Sequence, residues 1–231
     1  FNSYYETFGA RQPRPRRGMI TRPSLGQIIE YRKHVDGAVD ALLRTNPNPG
    51  VAELIELGCH HEQQHQELLL TDILHLFAQS ALRPSYRAPA PLAIETDEPP
   101  PLSFTSFEGG IVEIGHGAVG FAYDCEGPRH RALVEPFRLA DRLVTNADWT
   151  AFIKDGGYKN SLLWLSEGWA KVISEDWSRP LYWEKRDGEF WMMTLRGFQP
   201  LDPAAPVAHV SYFVADAVAT WSGKRLPTEF E

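Results

Sequence analysis

The sequence predicts an α+β chain of two domains, a helical bundle segment over residues 1–82 and a mixed α/β domain over 104–231, joined by a proline-rich linker at 83–103. Three observations carry this reading. Apolar residues recur at helical spacing up to residue 80. Residues 83–103 (RPSYRAPAPLAIETDEPPPLS) hold a third of the 18 prolines, a composition suited to an extended connection. From Phe104 onward, glycines, aromatics and short β-prone runs replace the helical pattern.

Residues 1–23 form a loop-like segment. Prolines at 13 and 15 keep its basic cluster, Arg11, Arg14, Arg16 and Arg17, extended. The cluster is either a solvated basic loop or a clamp for carboxylates, which guanidinium groups grip with two parallel hydrogen bonds. Tyr4 and Tyr5, just upstream, are either packing residues or phenol donors at a site. Ser24 with Gln27 makes a capping box, followed at helical spacing by Leu25, Ile28, Ile29, Val35, Val39, Leu42 and Leu43. This helix ends near Arg44, before the NPNPG turn at 46–50.

The second helix contains GCHHEQQHQELLLTDILHLFAQS, residues 58–80, without proline and with glycine only at its start. Its apolar residues, Leu54, Ile55, Leu68, Leu69, Ile73 and Leu76, suit an antiparallel bundle. His61 and His65 are four residues apart, so they share one face and can direct two imidazoles at one divalent metal ion. A lone pair of this kind is commonly structural. Here His60 adjoins it and amides flank it, a concentration of polar groups that favours a purpose. Gln64 borders the pair, whereas Glu67 points about 120° or more away and suits a supporting role. His75 is near the His61 face but about 15 Å beyond His65, too far to join them. A metal centre of catalytic type needs a third ligand from elsewhere.

In the second domain, short runs at GGIVEIGHG, ALVEPFRLADRLVT and LYWEKRDGEFWMMTL read as strands, the last as a hairpin turning at Arg186–Glu189. Helices are expected around Asn146–Lys154 and Tyr212–Ser222, the latter ending at Gly223. Six of seven tryptophans lie between 149 and 191, more as packing than as ligand contacts.

A net charge of −7 speaks against a nucleic-acid partner. No run approaches the roughly 18 apolar residues of a membrane helix. Two cysteines, Cys59 and Cys125, suit a reducing cytoplasm. The opening on Phe1 and the closing LPTEFE suggest an internal fragment of a longer protein, with at least one bundle helix upstream.

The phrase HHEQQHQELLLTDILH resembles the HxxxHxE signature of the DinB-like four-helix bundle of ergothioneine-biosynthesis sulfoxide synthases. EGPRHR at 126–131, VTNADW at 144–149, DGGY at 155–158, HVSYFVADAVATW at 209–221 and GKRLPTE at 223–229 resemble the domain fused to it. That domain is the sulfatase-modifying-factor, or formylglycine-generating-enzyme-like, relative of the C-type lectin fold. The resemblance implies a mononuclear non-haem iron(II) enzyme of the cytoplasm. It would use O₂ to join the sulfur of cysteine or γ-glutamylcysteine to the ring of hercynine as a sulfoxide.

On this resemblance His61 and His65 are two of three iron ligands, the third lying before Phe1. Gln64 contacts the histidine-derived substrate, and Arg14 and Arg17 bind carboxylates of the thiol substrate. Tyr4 and Tyr5 match an active-site tyrosine pair of one branch, for which free cysteine is the donor. The alternatives are an ovothiol-type synthase acting on histidine, a DinB-like thiol transferase using zinc or another divalent metal, and a metal-free binding fragment. Formylglycine generation itself is disfavoured, since the second domain holds Cys125 alone.

Overall fold

The computed structural model describes residues 9–11, 13–19, 21–45, 48–88, 100–117 and 119–231, with the side chains of Arg14 and Arg17 outside the description. The chain forms two compact units, residues 1–60 and 61–231, divided within a long helix.

In the first unit a 3₁₀ stretch, Arg14–Met19, precedes α1 (Leu25–Arg44). The capping box is present: the Ser24 amide donates to Gln27 Oε1 at 2.8 Å, and the Gln27 amide donates to Ser24 Oγ. Ion pairs Arg32–Asp36 and Arg44–Asp40 run one turn apart along the solvated face, each worth a few tenths of a kcal/mol (~0.3–0.5). The apolar stripe of α1, including Leu25, Ile28 and Leu43, is exposed among the described residues.

α2 (Pro49–Gln79) starts on a proline that needs no amide partner at the first helical position, with Asn48 Oδ1 accepting from the Val51 amide at 3.1 Å. No described helix is long and apolar enough to cross a membrane.

The second unit carries three small antiparallel sheets: β1 (Phe104–Phe107) with β4 (Phe137–Ala140), β2 (Gly110–Ile114) with β3 (His130–Val134), and a meander of β5 (Trp183–Arg186), β6 (Glu189–Thr194) and β7 (Gly197–Pro200). The expected hairpin turns at Arg186–Glu189, where Asp187 and Gly188 both take positive φ, as a tight two-residue turn requires. Helices α3 (Asn146–Lys154), α4 (Ser166–Glu175) and α5 (Tyr212–Trp221) pack around an aromatic core.

α3 is capped by Thr145 and Asp148, and the carboxylate of Asp148 is also held by both terminal nitrogens of Arg142. α5 ends in a Schellman motif. Gly223 (φ +69°) donates to Thr220 O, and Lys224 donates to Ala219 O.

The core explains the tryptophans. Trp149, Trp164 and Trp183 are buried with Phe152, Tyr158, Val172, Val214, Ala217 and Val218. Phe152 is its centre, with the rings of Trp149, Tyr158, Trp164 and Trp221 within 5.4–6.4 Å, centroid to centroid. Burial pushes the Tyr158 phenol up to about 12, against the opposing effect of the Trp149 indole donor, so it stays protonated. These rings pack the domain.

The described ends of residues 83–103 touch the second domain. The Tyr86 and Arg87 amides donate to Leu195 O, in the turn between β6 and β7, and Ser103 is hydrogen-bonded to Asp141.

Candidate metal centre

α2 brings His61 and His65 together. Their Nε2 atoms are 3.2 Å apart, with the rings edge to face at 84° and centroids 4.6 Å apart. Two nitrogens each about 2.1 Å from a common ion and about 90–110° apart are separated by about 3.0–3.4 Å. The pair therefore has the spacing of two neighbouring ligands of one metal ion. Without metal, one ring N–H donates to the other nitrogen. Both rings are exposed on the helix, which leaves room for further ligands.

Among the described residues no group of three His, Cys, Asp or Glu side chains is placed to hold a metal. The structure thus fits two ligands of such a centre. Gln64 is exposed beside His65, and one helical turn before Leu68; Glu67 is exposed on another side of the helix. Arg14 and Arg17 fall in the 3₁₀ stretch of the first unit. Tyr4 and Tyr5 lie outside the described residues.

His75 has a partner that its sequence position did not reveal. Its Nδ1 is 3.0 Å from the hydroxyl of Tyr182, in the turn just before β5. The Tyr182 ring meets His209 edge to face at 4.8 Å, and the Leu181 amide donates to His209 O at 3.2 Å. Tyr182 and His209 both adopt left-handed backbone, φ +70° and +62°. For non-glycine residues that conformation costs roughly 1–2 kcal/mol each. Desolvation raises the Tyr182 phenol and lowers the His209 imidazole from their ordinary values. No local sequence signal marks this cluster, because it joins residues more than a hundred positions apart and its strain falls on non-glycines.

Comparison with known proteins accounts for most of this architecture. The sulfatase-modifying factor enzyme 1-like domain matches residues 94–231, and the chain belongs to that family. It is 41% identical to the hercynine oxygenase of Mycolicibacterium thermoresistibile over 111 residues, 48% of this chain and 24% of that protein. It is 33% identical to the hercynine oxygenase of Mycobacterium tuberculosis over 194 residues, 84% of this chain and 44% of that protein. The formylglycine-generating enzyme of Streptomyces coelicolor is 32% identical over 164 residues, 62% of this chain and 51% of that protein. The chain spans less than half the length of the hercynine oxygenases it matches.

Proposed function

We propose that this chain is part of a non-haem iron(II), O₂-dependent sulfoxide synthase that joins cysteine or γ-glutamylcysteine to hercynine. The observation that carries the reading is the 3.2 Å separation of the His61 and His65 Nε2 atoms, the spacing of two neighbouring ligands of one metal ion. The second support is the extent of the similarity. The match to the M. tuberculosis hercynine oxygenase is longer than the segment 94–231, so it reaches into the helical part that holds the histidines. The match to the formylglycine-generating enzyme covers a smaller share of the chain, and the only cysteines, Cys59 and Cys125, are free and exposed.

In this reading His61 and His65 hold the iron with a third imidazole from outside these 231 residues, and the helical part is a DinB-like bundle. Bound iron supplies open positions at which thiolate, imidazole and O₂ are brought together and the thiol's proton is made easier to remove. The reaction balances as thiol plus ring C–H plus O₂ giving sulfoxide plus water. One oxygen atom ends on sulfur; the other leaves with the hydrogens of the thiol and of the ring carbon.

Gln64, beside the pair, orients the hercynine. Arg14 and Arg17 fix the thiol substrate through its carboxylate, a task suited to guanidinium forks. Tyr4 and Tyr5 supply a proton to oxygen, and with them free cysteine is the expected donor. Each substrate is held in place before reaction, so positioning lowers the barrier.

The test is a substrate panel. Iron-loaded protein is given O₂, a thiol (cysteine or γ-glutamylcysteine) and either hercynine or histidine, with products read by mass spectrometry. A sulfoxide from hercynine supports the reading. A sulfoxide from histidine alone replaces it with an ovothiol-type synthase.

A further inference from the structure

α2 is fastened to the β5–β6–β7 sheet at two successive points. Within the helix, His75 Nδ1 meets the Tyr182 hydroxyl at 3.0 Å. Just past its last residue, Gln79, Arg83 grips Glu184 with both terminal nitrogens and lies over the Phe198 ring, 4.4 Å from its centroid. Tyr182 and Glu184 stand two residues apart at the head of β5. The segment after Arg83 continues the attachment through the Tyr86 and Arg87 amides on Leu195 O and through Arg196, which donates to Ala88 O.

The two points do different work. Arg83 to Ala88 lies beyond the helix and limits how far α2 slides, whereas rolling about the axis is opposed by contacts on the helix itself, buried Leu74 among them. His75 is on the helix itself, about 40° around the axis from His61 and about 80° from His65. Its bond to Tyr182 opposes rolling. A roll of 20° would carry ring atoms some 5–6 Å from the axis sideways by about 2 Å, several times the tolerance of about 0.5 Å that a metal or substrate constellation allows. Tyr182 and His209, whose rings meet edge to face, both carry left-handed backbone beside this contact.

We propose that His75 is a positioning residue, which through Tyr182 sets the rotation of α2 and hence the direction in which the His61–His65 pair faces relative to the second domain's sheet. The proposal deepens the metal-centre reading and rests on it for its purpose, though not for its geometry.

The test measures that geometry directly. Cu(II)–nitrilotriacetate seats on an exposed pair of histidines four residues apart, and a nitroxide on the exposed Cys125, in a Cys59→Ser background, gives a second spin. Pulsed dipolar electron paramagnetic resonance then yields the distance distribution between them. We expect one narrow distance in the reference protein. Tyr182→Phe, which keeps the ring and loses only the hydroxyl, should broaden it at least twofold, as should His75→Ala. His75→Asn, whose side-chain amide stands where the Nδ1 atom of the imidazole does, should restore most of the narrowness. An unchanged distribution in Tyr182→Phe would overturn the proposal. Because copper chelate binds such a pair whatever its natural role, failure of iron binding elsewhere would remove the metal reading and leave this result intact.

Discussion

Gly157 abuts the ring of Phe152 so closely that a Cβ at 157 would overlap Cδ2, Cε2 and Cζ of the phenylalanine. The side chain that would have to move is the largest fully buried one among the described residues, with no exposed surface. Gly157→Ala is therefore expected to destabilise the domain by about 1–3 kcal/mol through overpacking. Phe152→Ala, leaving a cavity among four aromatic rings, should cost about 3–5 kcal/mol. Urea unfolding monitored by tryptophan fluorescence checks both, and a loss below about 0.5 kcal/mol in either would show that the core is looser than described.

The cap of α3 makes stability depend on acid. Burial raises the Asp148 carboxyl, but the Arg142 guanidinium and the Thr145 amide and hydroxyl outweigh it, leaving the carboxyl below its ordinary value of 3.8. A carboxyl depressed in the folded state contributes stability that is present above the unfolded value and lost as pH falls through the folded one. Asp148→Asn is thus expected to be less stable than the wild type at pH 7, with the difference shrinking below about pH 4. A difference that stayed constant from pH 7 to pH 3 would contradict the role of the charge.

If Arg14 and Arg17 hold the thiol substrate's carboxylate, then replacing either with alanine should raise the KM for the thiol by about tenfold or more, since a charge-assisted hydrogen bond contributes about 1.5–3 kcal/mol. The KM for hercynine should stay within about twofold. Steady-state kinetics with each substrate varied in turn separates the cases, and an equal rise for both would point to a solvated loop with a structural role.

Much of the framework was legible in the sequence because it is local. Ser24–Gln27 is a capping box, Asp187–Gly188 is a turn pair and Gly223 is a helix stop, each recognisable within a few residues. The His61–His65 pair was legible for the same reason, since helical geometry alone brings positions i and i+4 together. α4 was missed. Its buried face rests on Gly168 and Val172 in a tryptophan-rich stretch, and Gly168 is there because Phe213 lies against its Cα, a contact made across the fold. The partners of His75 and the left-handed backbone at Tyr182 and His209 were illegible on the same grounds. The apolar stripe of α1 was read as a bundle face, and it is exposed among the described residues.

The central claim is that His61 and His65 bind a metal ion. Anaerobic iron(II) titration of the longer protein that would supply the third imidazole, beside its His61→Ala/His65→Ala variant, tests it most directly, because both rings are exposed and lie outside the aromatic core. The account predicts saturable uptake of one iron per chain in the wild type, weakened at least tenfold in the variant while the thermal midpoint is unchanged. Equal uptake by the two proteins, or none by either, would contradict it.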